Sequence, residues 1–338
     1  TDTQARAFPA DLFAGDPVAE RYIDEVFDGP IGSKRGREML DQALVHGIDA
    51  VEDAPEAMKA LFAEFEDVPD WVKPELVEQG AAIWRRWGTM LFAIAGTTTL
   101  GMYTEAAVAT PLSLAGGYAG DNALRRFLET SRFWIDVSEQ GALLEPGSKG
   151  RATAMRVRVM HVSVRRRVEG QPEWDTEKWG LPISQSYMLL TLIGGSVAPA
   201  LALWTLGYQT SKKEIYALIH FQRYMGYLLG VRARWYPETI PDVLRTLAMV
   251  LVSRAFDAGE HGADGWRAAT LPHDVQRAAR GLSWRNARPR AGYCAPTGDD
   301  EGNCTSGDSG SWALGRSVGH SLADCARRCE ACARCSHV

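Results

Sequence analysis

Met155-Arg156-Val157-Arg158-Val159-Met160-His161-Val162-Ser163-Val164-Arg165-Arg166-Arg167 can be read in two ways, and the choice decides the fold. Its polar and apolar residues alternate, which suits a half-buried strand. As a helix the same stretch puts Val157, His161, Val164 and the following Val168 on one face, with Arg158 and Arg165 beside them. The surrounding segments favour the helix. Asp16-Pro17 joins a capping carboxylate to a proline suited to a first helical position. Pro55-Glu56 opens a segment in which Met58, Leu61, Phe62 and Phe65 recur at helical spacing, and Pro74-Glu75 opens a longer run through Trp84, Trp87 and Leu91. Ser211 and Glu214 form a capping box for a helix running to Val231. Sustained β alternation is scarce elsewhere, so the expected fold class is all-α.

Outward from this core, the 338-residue chain is long enough to bury one large or two modest domains. A net charge of −5 gives no reason to expect a nucleic-acid partner. Residues 90–114 and 187–206 are strongly apolar. The second stretch approaches the length of a bilayer span. Its Gly194-Gly195 and Pro199, and the polar turn before it, favour instead a helix at the centre of a large helical domain. Membrane association is therefore not the favoured expectation.

The six cysteines all lie in the last 45 residues: Cys294, Cys304, Cys325, Cys329, Cys332 and Cys335. With the linker-like Arg285-Asn286-Ala287-Arg288-Pro289-Arg290, this predicts a helical domain over 1–284 and a cysteine-rich tail over 285–338. The tail lacks the paired C-x-x-C knuckles, separated by a longer loop, that zinc favours. It is similar to a small disulfide-stapled module of the PAN/apple type, and an unfolded, truncated fragment is the alternative. Disulfides would place the protein in a secretory or otherwise oxidising compartment. Thr1 at the start, and a cysteine pattern still running at Val338, lead us to expect a trimmed chain whose natural form continues.

Three groups of residues could carry chemistry. A lone histidine on an apolar stripe flanked by arginines suits axial ligation of haem, with Arg158 and Arg165 pairing to the propionates. A core histidine bonded to a carbonyl is the commoner role for such a residue. Arg126 and Thr130, four residues apart, face one way and could polarise bound dioxygen in an apolar cavity. His220, Arg223, Tyr224 and Tyr227 share a helical face that could line a cofactor pocket or form a polar cluster in the core.

The order of these segments resembles the latex-clearing protein family of bacterial rubber oxygenases, and the wider superfamily that includes the fungal oxygenase of mycophenolic acid biosynthesis. The matching residues are Arg126-x-x-x-Thr130, Pro146-Gly147-Ser148-Lys149-Gly150, Arg156 through Arg165, Trp179-Gly180-Leu181-Pro182-Ile183-Ser184-Gln185, and His220-x-x-Arg223-Tyr224-Met225-Gly226-Tyr227. Upstream, Pro69-Asp70-Trp71 and Gly80 through Gly88 look like the family's entry helices. The resemblance implies a globin-reminiscent helical bundle around a b-type haem, with His161 as the proximal iron ligand and Arg126 and Thr130 on the distal side. It also implies dioxygen-dependent cleavage of carbon–carbon double bonds in an apolar, polyisoprenoid-like substrate. Where some relatives carry a distal lysine, this chain has Glu129, which cannot serve as a neutral amine ligand. We group Glu129 with Arg126 and Thr130 as candidate catalytic residues. The family's catalytic glutamate has no counterpart in register, Glu105 being the nearest. A haem- or lipid-binding protein without turnover, and a cofactor-free membrane-associated helical protein, stand as alternatives.

Overall fold

The structure, a computed structural model, describes residues 2–116, 122–232, 235–253 and 256–261. Helices α1 (Asp2–Asp11), α2 (Pro17–Tyr22), α3 (Gly32–His46) and α4 (Glu56–Glu66) lead into the long α5 (Pro74–Met102). There follow α6 (Ala106–Leu114), α7 (Asn122–Ser138), α8 (Lys149–Glu169), the short α9 (Thr176–Trp179), α10 (Gln185–Leu192), α11 (Ala198–Thr205), α12 (Lys212–Leu228) and α13 (Ile240–Ser253). No strand occurs among the described residues, so the 155–167 stretch is helical, inside α8. The chain divides into a unit of Thr1–Arg277 and another of Ala278–Val338. The expected boundary at 285 and the cysteine-rich tail lie outside the described residues.

The local signals explain where the helices begin. The Asp16 carboxylate accepts from the Ala19 amide with Pro17 at the first helical position, and the Ser211–Glu214 capping box is formed in both directions. Met58, Leu61, Phe62 and Phe65 all turn inward on α4. The apolar 90–114 stretch breaks at 103–105, where Glu105 adopts an extended conformation and begins α6.

The core is built on the crossing of α5 and α12, with α7 and α8 packed beside it. This crossing is close because Gly80 has no side chain. A Cβ there would lie 2.4 Å from the Phe221 Cβ and 2.5 Å from the Ala217 carbonyl oxygen. Gly80→Val should therefore lower the unfolding free energy by about 1–3 kcal/mol, as overpacking of a tight core does. Urea unfolding followed by circular dichroism will measure it.

Residues Ile193–Val197 form a single π-helical turn joining α10 to α11, so Gln185–Thr205 is one apolar rod. Pro199 removes one amide from the helical ladder, and the wide turn just before it accommodates the loss. Gly195 lets the Trp134 ring approach to within 3.3 Å of where its Cβ would be. Trp134 in turn stacks on Trp84 at 4.3 Å between centroids. Other helices bury 71% of the rod's apolar window, the position expected of a core helix.

Candidate functional site

The site is built on α8, whose start is fixed by the Pro146–Gly150 turn. Gly147 takes a positive φ of 73°, and the Ser148 hydroxyl caps the Arg151 amide at 3.2 Å while donating to the Ala142 carbonyl at 2.5 Å. Gly150 permits close contact with the end of α7, since a Cβ there would sit 2.7 Å from both Ala142 and the Asp136 carbonyl.

Three arginines seven residues apart, Arg151, Arg158 and Arg165, are buried along one stripe of α8. Arg151 donates to the Leu143 and Phe65 carbonyls, the Tyr224 hydroxyl and Glu66. Arg158 grips Asp16 with two bonds, of 2.7 and 2.9 Å, and also meets Glu64. Arg165 donates to Glu20 at 2.7 Å and to the carbonyls of Pro182 and Ile183. The charges of Arg158 and Arg165 are thus answered by carboxylates of this chain, which leaves them little freedom to pair with propionates. What they do instead is lock the rotation of α8 against α2, α4 and the 182–183 loop. That lock decides which way His161 faces.

His161 lies off the arginine stripe, in line with Val164 and Val168. Those two valines belong to a small apolar cluster, with Ala107, Trp174, Leu114, Trp179 and Tyr187, that is separate from the main core. The imidazole makes no hydrogen bond to any described residue. Its ring retains some accessible surface, but Nδ1 is sealed from solvent and has no partner. Burial, then the charges of Arg165 and Arg126, push its pKa from 6.5 to about 4, with Asp16 opposing. The ring is therefore neutral across the physiological range.

A stability effect follows. Between pH 6.5 and about 4 the unfolded imidazole carries a proton that the folded one does not. The unfolded state binds more protons there, so stability present above this window is lost as pH falls through it. A shift of this size corresponds to about 3 kcal/mol. His161→Leu should flatten that part of the stability-against-pH curve, measured by urea unfolding at stepped pH.

Arg126 is half-buried on α7, and its charge reaches His161 on α8. Thr130 lies one turn further along and is exposed, although Phe133 and Val137 on the same stripe pack into the core. Of Arg126 and Thr130, only Arg126 acts on His161, through its charge. Glu129 points aside from them, about 60° from Arg126 and about 100° from Thr130 around the helix. Its side chain is 60% exposed and pairs at 3.5 Å with Arg125, one turn back.

His220 and Arg223 also stand elsewhere. The His220 Nε2 accepts the Lys73 amide at 2.9 Å, and its ring meets Trp71 edge-on. The Arg223 guanidinium lies 4.1 Å above the Trp71 ring and pairs with Glu238. Tyr224 and Tyr227 also meet Trp71 edge-on. The shared face read from the sequence is real, and it seats the Pro69-Asp70-Trp71 turn. The charged neighbours that act on His220 and those that act on His161 have no residue in common.

Several residues at or behind the site were not legible in advance. Asp16, Glu20 and Glu64 hold the α8 arginines. The Tyr187 hydroxyl bonds to Glu105 with Asp257 close by, and burial followed by these two carboxylates raises its pKa. Asp257 accepts the Ala106 amide at 2.9 Å, the Trp179 indole N–H at 3.4 Å and the Lys178 ammonium. Gln185 joins the Gly15 and Gly230 carbonyls and receives the Arg232 amide. The heptad spacing of Arg151, Arg158 and Arg165 was the one available sequence signal for the lock.

Among the described residues no three His, Cys, Asp or Glu side chains converge on a metal position. A haem needs only one protein ligand. A neutral imidazole whose Nδ1 has no partner among the described residues, beside an apolar cluster and within the field of Arg126, fits that requirement.

Residues 81–296 match the family described as ER-bound oxygenase mpaB/B′/Rubber oxygenase, catalytic domain. The rubber oxygenase of Streptomyces sp. (strain K30) is 24% identical over 203 residues, which is 59% of this chain and 47% of that protein. The chain thus spans about half the length of that relative. The solved structure of latex clearing protein LCP in its closed state is similar with a TM-score of 0.61 at 20% identity, over 77% of this chain and 69% of that one. At that identity the likeness establishes a shared helical fold.

Proposed function

Because the chain belongs to the family of mpaB/B′ and rubber oxygenase catalytic domains, we propose that it is a haem b-dependent oxygenase acting with dioxygen on carbon–carbon double bonds of an apolar, isoprenoid-like substrate. The observation that carries this reading is His161: a half-buried, neutral imidazole without a hydrogen bond among the described residues, its Nδ1 sealed and the Arg126 charge on α7 acting on it. A haem held there would supply the redox chemistry that dioxygen requires.

The chain's own residues do the rest. His161 offers a nitrogen lone pair that burial, helped by the charges of Arg165 and Arg126, keeps unprotonated. Arg158 and Arg165 fix the helix that carries it. Arg126, whose charge acts on His161, would supply a charged donor, and Thr130, exposed one turn along the same face, is the second polar candidate on α7. The valines of α8 and the cluster with Ala107 and Trp174 form an apolar lining suited to a hydrocarbon. Glu129, exposed and paired, takes no part in this reading.

The test is the absorption spectrum of protein purified after haem supplementation, followed by oxygen-consumption assays on polyisoprene, carotenoid and short terpenoid substrates. A Soret band with substrate-dependent oxygen uptake supports the proposal. A Soret band without uptake on any of them would leave a haem-binding protein, and absence of the band would overturn the haem reading.

A further inference from the structure

The turn between α11 and α12 carries exposed residues that neither the core nor the His161 site uses. Trp204 and Leu206 are 45% and 68% exposed at the end of the apolar rod, and Tyr216 is 41% exposed on the first turns of α12. Lys212 and Lys213 stand between them, both exposed and neither in an ion pair with a described residue. They occupy the positive end of α12, where a cation adds to the helix dipole and an acid would normally be found. The local acid, Glu214, does not offset them, because it is held by Arg86 at 2.6 Å and by the Ser211 amide. Beside the turn lies a hollow of about 500 Å³ lined by Trp204, Tyr208, Thr210 and Glu214 among others. The buried Thr210 hydroxyl at that hollow has no partner among the described residues.

Exposed Trp, Tyr and Leu flanked by unpaired lysines is the composition of a surface that sits at a membrane–water interface. We propose that the α11–α12 turn docks on an anionic phospholipid bilayer, with Trp204 and Leu206 entering the headgroup layer and Lys212 and Lys213 meeting lipid phosphates. The charge decides between occupants: two unpaired lysines on a positive helix end favour an anionic surface over a neutral hydrocarbon. This is peripheral docking, since the rod behind the tip is buried in protein.

The experiment is sedimentation of the full chain with vesicles of phosphatidylcholine alone and of phosphatidylcholine with phosphatidylglycerol. Binding is expected on the anionic vesicles and should weaken with salt. Lys212→Glu with Lys213→Glu should reduce it by about 30-fold or more, the worth of two basic residues at such a surface. Trp204→Ser with Leu206→Ser should abolish it, with unchanged circular dichroism showing that the fold is intact. Four results would overturn the proposal: equal binding to neutral vesicles, wild-type binding by both double variants, binding to polyisoprene particles but to neither vesicle, or a dimer in sedimentation velocity that the Trp204 and Leu206 changes dissociate.

Discussion

His161→Ala will fold and will not retain haem. The imidazole adds little to stability, because it makes no hydrogen bond and its Nδ1 is buried without a partner. Truncation removes apolar contact but also relieves an unsatisfied polar atom, and the two effects oppose each other. The loss of stability at neutral pH should stay within about 2 kcal/mol. Haem retention is another matter, since the proposed site has one protein ligand and the arginines near it cannot replace it. The Soret absorbance of purified His161→Ala should fall to background while its circular dichroism matches wild type. His220→Ala is the control. His220 seats Trp71 and accepts the Lys73 amide, so its loss should leave haem content unchanged. Retention by His161→Ala with loss in His220→Ala would move the assignment to His220.

The largest effect on stability is expected at Asp16. Its carboxylate caps α2 and also takes both bonds from Arg158, with the two side chains 5% and 1% exposed. Asp16→Ala leaves Arg158 with only Glu64, which it already shares with Arg232. Breaking one side of a buried pair costs about 3–5 kcal/mol, and loss of the cap adds about 1 kcal/mol. That is enough to unfold many domains of this size. Thermal and urea unfolding will measure it. In a double-mutant cycle, Asp16→Ala with Arg158→Met should be less damaging than the sum of the two single changes, because the buried charge leaves with its partner. Simple additivity would show that the pair does not act as a unit.

Helix starts were legible because a cap is local. Asp16-Pro17 and Ser211 with Glu214 place donor and acceptor within a turn of each other, so a few residues specify the geometry. The inward positions of α4 followed in the same way from periodicity. The 155–167 stretch was ambiguous by itself and was resolved by its neighbours, which is how His161 came to share a face with Val164 and Val168.

The roles of the charged residues were not legible. Arg158 and Arg165 look alike beside His161 whether they hold a propionate or a carboxylate of the same chain, and their partners Asp16 and Glu20 lie 142 and 145 residues away. Asp16 shows how local evidence can be true and incomplete, since capping uses one of its oxygens and leaves lone pairs for Arg158. His220 and Arg223 were rightly placed on one face, but only the fold shows that Trp71 occupies it.

The sequence by itself determined the all-helical class, the helix starts and the family resemblance, because those depend on spacing within a helix and on segment order. The tertiary structure decided which arginines are locked in ion pairs, that Glu129 faces solvent, and that His161 is left without a hydrogen bond. Those are relations between residues distant in sequence, and only the packing of α2, α4, α7 and α8 sets the distances on which a buried charge or an unpaired nitrogen depends.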